Sequence, residues 1–340
     1  MTVETLSDAR WSCRGCSDCC RGLNFGPVEP EIINGLKAAD IAALWPPAAA
    51  GPWFHSRQTP SGETIYALAH RDDHCVFLQD NGRCAVHRLL GGAAKPWFCR
   101  EYPFFAVNEP DGRISVAVRG DCGGLHESYV DGQPLTEQLD EILSLPRIVP
   151  RQTFSATQIV ILPGLGVGPN DWKQVEPHLL RHLSTPREPE DVIRSARQQL
   201  FNLINREAPL PNPVQHRSAL GHILSTLAPV IPSPAIGAAL NAIASPMPQT
   251  TEPAQRYLNL ILRGEILTKR FAALGSLPAL MGWFLVQAVI ARRGTSDEGP
   301  LSPQALAETL PTLKRLANRP TIWAQIQALR PPLEHLFQTT

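Results

Sequence analysis

The chain predicts an α+β protein in which a cysteine-rich, metal-binding N-terminal domain with short β-hairpins precedes a mostly α-helical C-terminal domain. Three observations carry that expectation. All eight cysteines of the 340 residues lie between Cys13 and Cys122, so they serve one local site. Short apolar runs joined by Asn-Gly and Asp-Gly turns occupy the same stretch. After Pro150 the texture changes to helical periodicity punctuated by proline, with no cysteine and no repeat period. At 43% hydrophobic content the chain is long enough for two domains. The expected divisions are 1–146 for the cysteine cluster, 147–188 for a linker or short strand-turn-helix, and 189–340 for the helical domain.

From the start, Met1 to Trp11 carries Glu4, Asp8 and Arg10 and lacks the apolar stretch of a secretory signal. The expected compartment is therefore the cytoplasm, where thiols stay reduced and a dense cysteine set reads as a metal site rather than a disulfide framework. The set opens with Cys13-x2-Cys16-x2-Cys19-Cys20 and is completed by Cys75, Cys84, Cys99 and Cys122. Val76-Phe77-Leu78 and Ala85-Val86 flank Asp80-Asn81-Gly82, which predicts a hairpin with Cys75 and Cys84 at its outer ends. A second hairpin is predicted from Phe104–Val107 through Pro110-Asp111-Gly112 into Ile114–Val118. Helical patterns follow at about 189–206, 216–229, 252–272, 277–293, 303–317 and 321–337, with Pro-rich breaks at 208–213, 229–234 and 246–253. Ser302 before Pro303 reads as a capped helix start.

A Cys-x2-Cys spacing lets two thiolates converge on one tetrahedral ion. Cys13/Cys16 and Cys16/Cys19 both have it, but adjacent residues project apart, so Cys19 and Cys20 serve one mononuclear ion unequally. Two centres, a polynuclear cluster, or one non-ligating member of the pair each satisfy that constraint. Eight thiols also exceed the four of a single zinc ion or [4Fe-4S] cluster. All-thiolate ligation suits zinc, iron or iron-sulfur and argues against magnesium, calcium or manganese. His55, His70, His74, His87 and His126 share the domain; each could replace or orient a thiolate, but an ordinary surface or packing role is the expected one for any single histidine, with His87 the candidate to watch. Arg100, beside Cys99, either stabilises thiolate charge or pairs with a carboxylate such as Glu101.

Composition excludes some classes. Lys plus Arg and Asp plus Glu balance at 31 each, so bulk charge does not point to nucleic acid. Leu274–Ala291 is nearly uncharged and flanked by basic pairs, yet Ser276, Pro278, Gly282 and Gln287 interrupt it, which predicts a buried helix rather than a membrane span. Gln158–Leu162 followed by Gly164-Leu165-Gly166-Val167-Gly168 imitates a nucleotide loop, but no further βαβ units follow and no G-x-S-x-G elbow appears.

The N-terminal residues resemble the CxxCxxCC cysteine-cluster family of zinc- or iron-chelating domains. The likeness rests on Cys13, Cys16, Cys19 and Cys20, then Cys75-Val76-Phe77-Leu78 with Cys84-Ala85-Val86-His87, then Lys95-Pro96 and Cys99-Arg100-Glu101-Tyr102-Pro103, then Cys122. It covers about 110 residues. The long stretch between Cys84 and Cys99 with Gly91-Gly92, and Tyr257-Leu258-Asn259 ahead of the apolar segment, are similar to a longer subgroup of flagellin lysine N-methylases. That resemblance implies S-adenosylmethionine as cofactor and a protein substrate. Three functions are therefore expected to compete: metal binding by the N-terminal thiolates, a protein lysine N-methyltransferase, and a structural-metal scaffold with a helical partner-binding surface.

Overall fold

The computed structural model describes residues 2–21, 26–59, 62–145, 147, 149–204, 207–208, 210, 212–245, 247–294 and 300–340. The expected boundary at Pro146, the helix end at 205–206 and the prolines at 209, 211 and 246 lie outside them. The chain forms two compact units, each discontinuous in sequence. One holds residues 10–105 and 122–151, the other residues 1–9, 106–121 and 152–340.

The first unit, which carries every cysteine, is built from two-stranded ribbons and short helices. Arg10–Trp11 pairs antiparallel with Gln133–Pro134, Phe54–Gln58 with Thr64–Leu68, and His70–Arg71 with His74–Cys75. The hairpin predicted between Cys75 and Cys84 is corrected to a single bridge between Leu78 and Cys84. Its Asn-Gly turn is present, with Gly82 at φ +76 and Gln79 N donating to Arg83 O at 2.9 Å. The second strand fails because Ala85 and Val86 are both buried, and neighbours on a strand face opposite ways. Residues Ala85–Leu90 form a helix instead. Leu36, Ile41, Val76, Phe77 and Val86 make the core, with Trp53, Phe54, Cys20 and Cys84 packed against it.

A four-stranded sheet runs in the order Val3–Thr5, Ile114–Val118, Phe104–Asn108, Gln152–Thr153, with each edge strand parallel to its neighbour. The central pair is the second predicted hairpin. Glu109 N donates to Arg113 O at 2.8 Å, and Gly112 at φ +84 supplies the turn conformation that a side chain disfavours. The glycine-rich stretch is a second ribbon, Ile159–Leu162 against Leu165–Val167, with Gly164 at its turn and Gly166 paired with Val160. The helix Pro169–His182 follows.

Among the described residues, eight further helices of eight residues or more belong to the second unit: Pro189–Leu203, Pro213–Leu227, Pro234–Asn241, Glu252–Leu267, Leu277–Arg293, Pro303–Ala317, Pro320–Ala328 and Arg330–Thr339. Every one of these has proline in its first two positions, so much of the proline excess marks helix starts, where the missing N–H has no helical acceptor to lose. Asn212, Thr251, Ser276 and Ser302 add side-chain caps. The single helix expected over 321–337 is broken at Leu329, because Pro331 and Pro332 have no N–H to continue the ladder. Leu277–Arg293 is buried from Leu277 to Arg292 and packs against Arg330–Thr339, Pro234–Asn241 and Pro303–Ala317. Among the described residues no helix is long and apolar enough to cross a membrane.

Candidate metal centre

The opening cysteine run folds back on itself because Gly15 and Ser17 both take left-handed conformations, at φ +70 and φ 64. Asp18–Cys20 then makes one 3-10 turn, with Cys20 N donating to Ser17 O at 2.8 Å. Glycines let two other cysteine segments close on this loop. A side chain at Gly82, two residues before Cys84, would collide with the Gly15 carbonyl. One at Gly123, next to Cys122, would collide with the Asp18 carboxylate, and one at Gly124 would stand 3.5 Å from Cys16 Sγ. Arg14 pairs with Asp131 and anchors the loop from its other end. A bridge between Arg21 and His74 sets Cys20 beside Cys75.

All eight cysteines are free thiols. Cys19 Sγ lies 3.9 Å from Cys20 Sγ. The hydrogen bond with Cys20, and then burial, hold the Cys19 thiol well above its ordinary pKa. Burial pushes Cys75 and Cys122 each up to about 12, and raises Cys99 and Cys16 as well. A buried thiolate costs free energy unless a positive charge offsets it.

Mutual electrostatics map the neighbourhood. Cys99 feels Cys75, Cys84 and Cys19, while Cys122 feels Cys16 and Cys19, and Cys16 feels Cys13. Cys19 is therefore within electrostatic reach of thiols from both sets. Among the described residues, no three histidine, cysteine or acidic side chains stand at the spacing of a bound ion, so these thiols are neighbours rather than a closed coordination shell.

Lys95 opposes the thiol shifts at Cys19, Cys75 and Cys99, and so is the cation within reach of the cluster. Arg100 takes the structural alternative: it pairs with Glu29 at 3.2 Å, whose Oε1 also accepts from Trp97 N at 2.8 Å. Glu101 pairs instead with Arg147, which stacks 4.7 Å from the Trp97 ring centroid. The Lys95-Pro96 dipeptide was the available clue to this cation, since proline at 96 turns the chain just before the Cys99 helix.

The histidines are placed unevenly. His87 is exposed with Nε2 over Gly92, and His126 Nδ1 lies 2.6 Å from Gly123 O. His74 Nδ1 contacts Asp72 O at 2.9 Å, and burial first, then His74 and His55, lower the His70 pKa.

The donor set fits a soft-ligand metal. It is all sulfur, Cys75 and Cys122 are buried, and the buried Trp11 Nε1, otherwise without a hydrogen-bond partner, stands where its N–H favours a Cys122 thiolate. No curated protein and no solved structure matches the chain. Residues 12–116, which include every cysteine except Cys122, match the model of the CxxCxxCC family, described as "Putative zinc- or iron-chelating domain".

Proposed function

We propose that this protein binds metal through the thiolates of residues 13–122, as zinc ions, iron ions or an iron-sulfur cluster. Cys19, Cys20, Cys75, Cys84 and Cys99 would form one part of the ligand set, offset by Lys95, and Cys13, Cys16 and Cys122 the other. The observation that supports this reading is the position of Cys19, within electrostatic reach of Cys16, Cys75, Cys99 and Cys122. When bound, the metal supplies the positive charge that replaces the thiol protons and ties loop segments together. The cytoplasm is the compartment that keeps such thiols reduced.

Elemental analysis and a visible spectrum of anaerobically purified protein test the proposal. At least one equivalent of zinc or iron is expected, with visible charge-transfer absorption marking iron-sulfur. Metal-free protein with four disulfides would overturn it. Methyl transfer to a protein lysine rests on sequence resemblance alone. Isothermal titration of S-adenosylmethionine into the metal-loaded protein decides it: saturable heat supports the methylase, and its absence removes that reading.

A further inference from the structure

A shallow, solvent-open groove of about 690 Å³ lies in the cysteine-bearing unit, and no cysteine lines it. Its volume suits a small organic molecule. Pro30, Ile33, Asn34 and Lys37 reach it from the helix Pro30–Ala38, and their spacing of three, one and three residues puts them on one helical face. Trp53, Phe54 and Tyr66 supply an aromatic surface from the hairpin of Phe54–Gln58 and Thr64–Leu68 and the residue before it. That surface is braced. Trp53 Nε1 donates to Ala48 O at 2.9 Å, its ring lies 6.4 Å from the Phe77 centroid, and Tyr66 O accepts from Val28 N at 2.7 Å. The pocket is therefore held open rather than filled by its own side chains.

Charge selects the occupant. Lys37 is the one charged residue in the lining, and no acid accompanies it. Lys37 and Asn34 are exposed at the rim, and among the described residues neither side chain has an ion pair or hydrogen bond, so both donors can turn to a ligand. An aromatic pocket without a cation would welcome an ammonium through its ring faces, but Lys37 repels one. From this juxtaposition we infer a binding site for a small aromatic carboxylate, its carboxylate on Lys37 and Asn34 and its ring against Trp53, Phe54 and Tyr66. The site is separate from the thiol cluster in the sense that none of its lining residues is a cysteine.

Isothermal titration of the whole protein, as purified, with 3-phenylpropionate, its neutral amide and 3-phenylpropylamine tests the inference. The acid is expected to bind saturably and about fivefold tighter than the amide, the scale of one exposed charge pair. Lys37→Gln should abolish that preference while leaving amide binding, Lys37→Arg should retain it, and Tyr66→Ala should weaken acid and amide alike. Equal binding of acid and amide to the unaltered protein, tighter binding of the amine, no saturable binding of any probe, or an undiminished preference in Lys37→Gln would each overturn it.

Discussion

Cys19 lies 3.9 Å from Cys20 and within electrostatic reach of Cys16, Cys75, Cys99 and Cys122. Cys13 is exposed at the edge of the set. Cys19→Ser should therefore release more metal than Cys13→Ser, measured as metal equivalents per chain after gel filtration; equal losses would refute the shared position of Cys19. A second residue-scale prediction belongs to the other unit. Lys269 is buried between Glu109 at 2.5 Å and Glu176 at 3.1 Å, so two carboxylates share one ammonium. Burial raises Glu176 to about 7, against the opposing pull of Lys269. Below pH about 4.5 the group is protonated in folded and unfolded chains alike and contributes nothing. Between about 4.5 and 7 only the unfolded chain gives up its proton, so stability falls as pH rises, by on the order of 3 kcal/mol, and stays lowered above that. Urea unfolding across this window should show the decline, and Glu176→Gln should flatten it.

At the scale of elements, close backbone approach through glycine is what local sequence least reveals. Gly82 and Gly91 both have positive φ, but only Gly82 faces a carbonyl that a methyl group would strike. Gly91→Ala should cost about 1 kcal/mol from backbone strain. Gly82→Ala should cost a further ~1–3 kcal/mol from overpacking, and should also loosen the metal loop through Gly15. Chemical denaturation of the two variants compares them, and equal costs would remove the Gly82–Gly15 contact from the account. In the helical unit, Gly282 lets Leu277–Arg293 approach the Leu333 carbonyl of Arg330–Thr339. Gly282→Ala should destabilise that unit by about 1–3 kcal/mol in thermal unfolding.

For the whole molecule, two compact units, only one of them bearing cysteines, predict separate responses to metal removal. The cysteine unit is loop-rich and consists of short ribbons and helices, so metal ligation is expected to contribute strongly to its folding, on the order of 10 kcal/mol for a structural zinc. The long helices Glu252–Leu267 and Leu277–Arg293 are buried against other helices and hold no cysteine. Chelation should therefore speed amide exchange in residues 10–105 and 122–151 while leaving those two helices protected. Hydrogen-exchange mass spectrometry reads both at once; uniform loss of protection, or none, would contradict the prediction.

From the sequence alone one could read a sulfur-rich donor set and several of the helix starts, those at 189, 252, 277 and 303, while the helices from Pro234 and Arg330 went unforeseen. Eight cysteines confined to residues 13–122 name a soft-metal donor set before any folding is considered. Serine before proline at 302 places a helix start through one local hydrogen bond, and the uncharged run at 274–291 announces a buried helix through its lack of a polar face. Tertiary structure alone decided which groups meet. The parallel pairing of Val3–Thr5 with Ile114–Val116, the choice of Lys95 over Arg100 as the cation near the thiols, and the helix at Ala85 where a strand was expected all turn on burial against distant partners. Caps, turns and periodicity act over a few residues and leave a mark in the chain, whereas contacts across a hundred residues are settled by packing and charge once the chain has folded.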